Sequence, residues 1–261
     1  YNGSSDVSKS TGSPVSAVAF TMAGFVLSTT TSVTQYAFGI QNSASNHGWR
    51  LGFNGTSLIL QCTASGGTQN TQSAGNAAAN TWMHLGMVCS SSTSRAIYKN
   101  GASLATGTSN LTPGGVNQIR VGAGTDSSGN AGSYWTGGVA MIGLWNVALT
   151  TPEMAALSAG LEPWKIRPAS LKAFFPSGAP FASGIIDLMG GYPLDTAPTT
   201  ERATQPRIYS FGVFGHARKT AATSHSLTAS VISCSAPSLS SPAIGQVHAL
   251  TAQEIAGGTP T

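Results

Sequence analysis

Carboxylates, the groups that most often carry out acid–base catalysis, are scarce in the first 161 residues of the chain. Asp6, Asp126 and Glu153 are the acids of this region. Enzymes that cleave glycosidic bonds hold two carboxyl groups about 5 to 10 Å apart, one on each side of the bond. Asp126 stands alone in a Gly/Ser-rich loop, and Glu153 lies where a helix is expected to begin. Because general acid–base catalysis needs a second group, the sequence predicts no such enzyme.

The chain also lacks other common catalytic and metal-binding patterns. It has no G-x-S-x-G turn for a serine nucleophile, and its histidines and cysteines do not have the spacing of a zinc site. His84 lies in an apolar segment with Trp82 and Leu85, which indicates a buried, hydrogen-bonded core residue. We therefore expect no catalytic residue and no tightly bound cofactor.

The three cysteines, Cys62, Cys89 and Cys234, form no C-x-x-C pair. Unpaired cysteine often behaves as a small core residue, so buried free thiols are the expected state. Two alternatives stay open: a disulfide between Cys62 and Cys89, if their strands are neighbours, and an intermolecular bond through Cys234.

Polar residues that suit ligand binding cluster in loops. Amide, guanidinium and carboxylate groups can hydrogen-bond the hydroxyls of a sugar, and aromatic rings can stack on its apolar face. Since loops carry binding residues more often than strands do, these loops predict a surface glycan as ligand. With carbonyl oxygens, Asp126 would hold at best one weakly bound calcium ion. The candidate ligand-binding residues are Asn46, His47, Arg50, Asn70, Asp126, Asn130 and Tyr134.

The composition excludes two classes of partner. Charged residues make up 8% of the chain and the net charge is +4. The basic residues are spread too thinly for a nucleic-acid surface. No run of about 18 apolar residues occurs, so no membrane insertion is expected.

Short apolar or alternating segments, separated by turn residues, predict an all-β region from residue 15 to residue 145. Asn100 and Gly101 mark a type I′ hairpin, because both residues tolerate a positive φ. Trp49 and Trp135 border strands, so both rings are expected in the core. The predicted strands lie near residues 18–27, 35–40, 49–53, 57–63, 83–89, 95–99, 118–121 and 138–145. Core positions predicted from these strands are Trp82, Leu85, Ile97, Met141, Leu144 and Trp145.

A short helix is predicted over residues 151–160. Thr151 is the expected N-cap, Pro152 suits the first turn, Glu153 lies near the positive helix end and Gly160 ends the helix. The side that should face the strands comprises Met154, Leu157 and Leu161.

Four motifs follow one another in a specific order: TWMHLGMV at 81–88, RAIYKNG at 95–101, RVG at 120–122 and WTGGVAMIGLWNVALT at 135–150. Together with YNGSSD at 1–6, they make residues 1–161 resemble the laminin-G-like, concanavalin A-like jelly-roll family. The resemblance implies an antiparallel β-sandwich with one short helix. Where the family usually has an acidic pair in its closing strand, this chain has V-A-M at 139–141, which argues against a metal-linked role there.

Residues 162–219 contain many prolines and are expected to wrap the sandwich rather than form a second core. The family's entry strand is missing before Tyr1, and the stretches 171–175 and 186–191 resemble it. We hypothesise that this late segment supplies the missing strand in a permuted order.

Residues 220–261 contain a repeat with an offset of 23 residues, in which H-x-L-T-A at 225–229 returns at 248–252. Chance similarity in a Ser/Ala/Thr-rich tail is the alternative explanation. The repeat predicts an extended C-terminal arm that adds strands to neighbouring chains. The assembly residues of this arm would be Leu227, Ile232, Cys234, Leu250 and Ile255.

A sandwich, a Pro-rich linker and a repeat tail in this order resemble the virion-associated proteins of tailed bacteriophages. That resemblance implies a non-enzymatic protein on the virion surface, such as a capsid decoration or fibre component, which forms a homo-oligomer and contacts other virion proteins. The alternative is an extracellular carbohydrate-binding adhesin that attaches to a cell surface.

Overall fold

Two six-stranded antiparallel sheets face each other in the computed structural model, which describes residues 1–73, 75–176 and 185–195. Sheet I contains, in spatial order, β1 (Ser8–Lys9), β10 (Gln118–Val121), β3 (Gln35–Gln41), β4 (Gly48–Asn54), β5 (Ser57–Ala64) and β6 (Gly67–Ser73). Sheet II contains β14 (Leu171–Phe175), β13 (Gly137–Trp145), β2 (Phe20–Ser28), β7 (Met83–Ser91), β8 (Ser94–Lys99) and β9 (Ala102–Gly107). A two-stranded hairpin pairs β11 (Gly124–Thr125) with β12 (Ala131–Gly132).

The structure confirms the all-β sandwich and the eight predicted strands, whose ends differ from the prediction by no more than two residues. Asn100 and Gly101 have φ values of 47° and 84°, and the hairpin that they form joins β8 to β9. The prediction missed β1, β6, β11 and β12. The reason is clearest for β6: its sequence GTQNTQS is polar throughout, so it shows no apolar alternation.

The main core lies between the two sheets and is built mainly from the side chains that point inward from their strands. Phe20 of sheet II meets Trp49 of sheet I edge to face, with ring centroids 5.1 Å apart. Phe53 and Trp135 pack in the same way at 5.0 Å. All four rings are fully buried, which confirms the core role predicted for the two tryptophans.

A second apolar cluster covers the outer face of sheet II. Helix α1 (Thr151–Ser158) buries Met154 and Leu157 against this face, and Trp145 donates from Nε1 to the carbonyl of Ile166 at 2.8 Å. A short 3-10 helix over Pro163–Lys165 continues the cover. Among the six predicted core positions, Trp82 is the exception, because its ring is half-buried at the edge of this cluster.

The N-cap of α1 is Thr150 and not the predicted Thr151. The backbone N–H of Thr150 donates to Glu153 Oε2 at 2.7 Å, and its hydroxyl donates to the same oxygen at 2.8 Å. Glu153 also forms an ion pair with Arg167. Thr150 and Thr151 are neighbours of the same type, so only the backbone conformation distinguishes them: Thr150 is extended, with a ψ of 162°.

The segment 185–195, called the clasp below, joins the edge strands β14 and β1 of the two sheets. The backbone N–H of Leu188 donates to the carbonyl of Phe174 at 2.8 Å, and that of Asp195 donates to the carbonyl of Lys9 at 2.8 Å. Of the two stretches that resemble the family's entry strand, residues 171–175 form β14 beside β13, whereas residues 186–191 lie in the clasp and form no strand. Residues 220–261 and the predicted assembly arm lie outside the described residues.

Asp187 is the centre of the clasp. Its side chain is 3% exposed, and its Oδ1 accepts hydrogen bonds from the backbone N–H groups of Phe174 and Met189 at 2.8 and 3.0 Å. Oδ2 accepts those of Gly191 and Tyr192 at 3.2 and 3.0 Å. Four backbone donors satisfy this buried carboxylate, so its role is to hold the turn.

Cys62 and Cys89 are buried free thiols, as expected, and form no disulfide. Burial raises the pKa of Cys62 to about 11 and also raises the pKa of Cys89. Cys234 lies outside the described residues. In the described part of the chain, no helix is long and apolar enough to cross a bilayer.

Candidate functional site

The outer face of sheet I carries a row of six residues, five polar and one glycine, that lie directly opposite one another on neighbouring strands. The row crosses all six strands and therefore spans about 24 Å at the usual strand spacing. Its members, in spatial order, are Lys9, Arg120, Gly39, Arg50, Gln61 and Asn70. Gly39 separates the two arginines, and a Cβ at this position would lie 2.3 Å from the carbonyl oxygen of Trp49.

The β11–β12 hairpin lies over the middle of this row and is held there by the two arginines. Arg120 donates to Gln118 Oε1 at 2.9 Å and to the carbonyls of Gly124 and Gly129 at 3.4 and 3.3 Å. Arg50 donates to the carbonyl of Thr125 at 2.8 Å. The arginine side chains are therefore 3–4% exposed, although they point away from the core.

Neither arginine has an ion-pair partner among the residues that the structure describes. Burial is the main cause that lowers the pKa of both guanidinium groups. The ring of Tyr36 lies 5.4 Å from the Arg50 guanidinium carbon and provides a cation–π contact. Among the described residues, the hydrogen-bond acceptors of Arg50 and Arg120 are neutral carbonyl, amide and hydroxyl oxygens, so neither buried guanidinium forms a direct ion pair.

Asp126 organises the hairpin loop. Its Oδ1 accepts hydrogen bonds from the backbone N–H groups of Ser128 and Asn130 at 2.9 and 2.8 Å, and its Oδ2 accepts one from Asn130 Nδ2 at 3.1 Å. The bonds from Asn130 are the main cause that lowers the pKa of Asp126. At the tip, Gly129 packs against Ser43 so closely that a Cβ would lie 2.2 Å from the Ser43 carbonyl oxygen. The loop is thus fixed from both sides.

An open cavity of about 350 Å³ lies between this loop and strand β1. Its floor contains Arg120 and Gln118, and its rim contains the exposed side chain of Lys9. The residues that line it include two cations and no carboxylate. They are Val7, Lys9, Ser43, Gln118, Arg120, Ser128, Gly129, Asn130 and Ala131.

The predicted ligand-binding residues occupy this same face, but they do not form one site. Asn130 lines the cavity, and Tyr134 donates from its hydroxyl to the carbonyl of Ala131 at 3.2 Å. Asn46 accepts a hydrogen bond from Arg50 through its backbone carbonyl. Half-buried His47 and exposed Asn70 lie near the middle and far end of the face and do not line the cavity.

Sequence reasoning missed Lys9, Gln118 and Arg120, which lie on strands β1 and β10. These three residues line the cavity together because β1 pairs with β10, which is far from it in the chain. Within the described residues, no three His, Cys, Asp or Glu side chains cluster as metal ligands. A weak calcium ion at Asp126 stays a prediction.

His84 is buried as predicted, but its ring is not fully hydrogen-bonded. The ring is buried in sheet II against Phe25, with centroids 5.1 Å apart, and its Nδ1 has no hydrogen-bond partner. Burial lowers its pKa to about 3. The ring is therefore neutral at physiological pH and contributes packing.

Comparison with solved structures gives relatives of low sequence identity. A protein from Bacteroides ovatus ATCC 8483, described as "a putative carbohydrate binding protein", has a TM-score of 0.56 and 16% identity over 74% of this chain. The chain covers 56% of the length of that protein. The heptameric SAP-like pentraxin of Limulus polyphemus has a TM-score of 0.48 and 18% identity, over 74% of this chain and 95% of the pentraxin.

A third relative is the CBM40 module of the Ruminococcus gnavus IT-sialidase bound to α2,3-sialyllactose, with a TM-score of 0.47 and 12% identity over 57% of this chain and 97% of the module. At these identities, the Bacteroides ovatus structure supports the fold alone. No curated protein sequence matches the chain.

A family model matches residues 2–155, which is more than half of the chain. The match includes the four motifs between residues 81 and 150 and every strand of sheet I. The chain therefore belongs to the Laminin_G_3 family, described as the Concanavalin A-like lectin/glucanases superfamily.

Proposed function

We propose that this protein is a non-enzymatic carbohydrate-binding module that holds a glycan in the open cavity on the outer face of sheet I. The observation that carries the proposal is the cavity itself, which is polar, open to solvent and bounded by a fixed loop. Its volume of about 350 Å³ falls within the range of small-molecule sites.

The groups around the cavity suit sugar hydroxyls. Ser43 and Ser128 supply hydroxyls, and Asn130 uses its Nδ2 for Asp126, which leaves its Oδ1 as an acceptor. The Asp126 loop holds Ser128 and Asn130 in place before a ligand arrives. Preorganisation of this kind lowers the entropy cost of binding. Tyr134, whose ring is half-exposed, lies two residues after β12 and is the aromatic residue nearest to Asn130 in the sequence.

The family adds support, since its name covers lectins and glucanases, and the similar Bacteroides ovatus protein is described as carbohydrate binding. A glucanase would need a pair of available carboxyl groups. Here Asp126 fixes a loop, Glu153 caps a helix and pairs with Arg167, and Asp187 accepts four backbone hydrogen bonds. These three of the six acids in the described residues are committed to structure, and none of the six lines the cavity, which favours binding over hydrolysis at this site.

The proposal is tested with a glycan microarray, followed by calorimetry on the glycans that bind. Asn130→Ala should weaken binding at least tenfold, because it removes a rim acceptor and loosens the Asp126 loop. The matched control is Asn110→Ala, which changes an exposed asparagine outside the cavity and should leave affinity unchanged. Absence of binding across the array, or release of reducing ends from a bound polysaccharide, would contradict the proposal.

The virion role, the homo-oligomer and contacts with other virion proteins stay predictions. They depend on residues 220–261, which lie outside the described residues. Cutting the chain near residue 221 and comparing the assembly state of the two forms by light scattering tests them. An unchanged assembly state would contradict the arm hypothesis.

A further inference from the structure

We infer that the glycan held in the open cavity is acidic, with a carboxylate or sulfate group that lies against Lys9 and Arg120. This inference rests on the proposed function and names the class of ligand. Three features of the cavity lead to it: the charge of its lining, the buried guanidinium in its floor and the fixed position of Lys9.

The lining contains two cations and no acid, so an anionic group enters a positive environment. The nearby acids are Asp126 and Asp195, whose charges attract the Arg120 guanidinium. Asp126 is held by three hydrogen bonds from its own loop. Asp195 accepts the backbone N–H of Lys9 at 3.0 Å. Both carboxylates are therefore held by hydrogen bonds from the protein, and neither lines the cavity.

Arg120 is 4% exposed, and its hydrogen bonds go to neutral oxygens of Gln118, Gly124 and Gly129. A guanidinium has five N–H donors, and four are used here, which leaves one at Nη1. Asp126 and Asp195 attract this guanidinium without hydrogen-bonding to it. Burying a charge without a hydrogen-bonded ion-pair partner is costly. An anion bound in the cavity would offset this cost, and charge-assisted hydrogen bonds are stronger than those to neutral acceptors.

Lys9 is placed at the rim by the clasp. Its backbone N–H donates to Asp195 Oδ1, and its carbonyl accepts the backbone N–H of Asp195 at 2.8 Å. The backbone is thus pinned on both sides, while the side chain stays exposed. Lys9 and Arg120 are directly opposite each other on β1 and β10, so one anionic group can face both.

The test uses paired probes that differ mainly in one acidic group: sialyllactose against its neutral methyl ester, oligogalacturonate against its reduced neutral form, and a sulfated oligosaccharide against its desulfated form. Isothermal titration calorimetry is run at 50 and 500 mM salt. We expect an acidic member to bind at least tenfold more tightly than its neutral partner, and this preference to fall in high salt. The carboxylate and sulfate pairs identify which anion is recognised.

Lys9→Gln should weaken binding of the acidic probe about fivefold or more, since it removes the exposed cation. Lys172→Gln is the matched control on sheet II, where Lys172 bonds the carbonyl of Ala169, and it should not change the affinity. Equal binding of neutral and acidic partners, or full affinity in Lys9→Gln, overturns the inference and leaves the proposed function standing. Failure of every glycan to bind rejects both.

Discussion

The outer faces of the two sheets have opposite characters, although both are built from strands that alternate in the same way. On sheet II, the outward residues include Ala23, Val88 and Trp145, and helix α1 with the following segment buries them in a second apolar cluster. On sheet I, the outward residues include Arg120 and Arg50, and a small polar hairpin covers the middle of that face alone.

The difference shows how one fold can bury an apolar surface on one face and leave a polar cavity on the other, where we propose that the ligand binds. Apolar surface removed from water on sheet II stabilises the protein by about 25 cal/mol per Å². Covering the polar face of sheet I gives less hydrophobic stabilisation per area, and part of this face stays open as the cavity. Substitutions on sheet II should therefore change stability, whereas substitutions at the cavity rim should change binding.

The largest effect is expected for Trp145→Ala. The ring is fully buried between sheet II and the segment after α1, and its Nε1 bonds the carbonyl of Ile166. Its loss should lower the free energy of unfolding by about 3 to 5 kcal/mol in chemical denaturation. Trp164→Ala, at a 40% exposed position, is the control and should change it little. Equal effects of both substitutions would break the comparison.

His84 should make stability depend on pH. Its folded pKa of about 3 lies below the usual value of 6.5, so the unfolded chain takes up a proton as the pH falls below 6.5 while the folded protein does not. The contribution of neutral His84 to the free energy of unfolding is fully present above pH 6.5. It decreases by about 1.4 kcal/mol per pH unit below that value. At pH 5 the loss should be about 2 kcal/mol, before most carboxylates titrate.

Denaturant midpoints at pH 7 and pH 5 measure this loss. His84→Leu should flatten the dependence between these values. A loss of the same size in His84→Leu would show that another group is responsible.

A smaller effect is expected for Thr150→Ala at the start of α1, which is part of the cover on sheet II. The substitution removes the hydroxyl that bonds Glu153 and should cost about 1 kcal/mol. Thr112→Ala, at an exposed loop position, is the control. Thermal melts of the two variants test whether the hydrogen bonds between Thr150 and Glu153 stabilise the protein.

The smallest change in stability is expected at the cavity rim. Lys9→Gln should leave the free energy of unfolding within about 0.5 kcal/mol of the wild type, because the side chain is exposed. A larger loss, measured by chemical denaturation, would mean that this face also serves stability.

Most of the fold could be predicted from local patterns, and the candidate site could be predicted in part. Alternation predicted the strands of the main core, and Asn100 with Gly101 predicted a hairpin, because these signals depend on residues close together in the chain. The loops around Asn46 and Asp126 were predicted to bind a ligand, and that role stays a prediction; the structure shows that Arg50 bonds backbone carbonyls of Asn46 and Thr125. Polar β6, which shows no alternation, was missed.

Tertiary structure alone brought Lys9, Arg120 and Arg50 into one row. Lys9 and Arg120 are more than a hundred residues apart, and they meet because β1 pairs with β10 in one register. That register is selected by burial of the alternate residues, such as Ile119 and Val121, in the core. A shift by one residue would turn the arginines inward, so the whole core decides which polar residues share a face, and no local pattern records it.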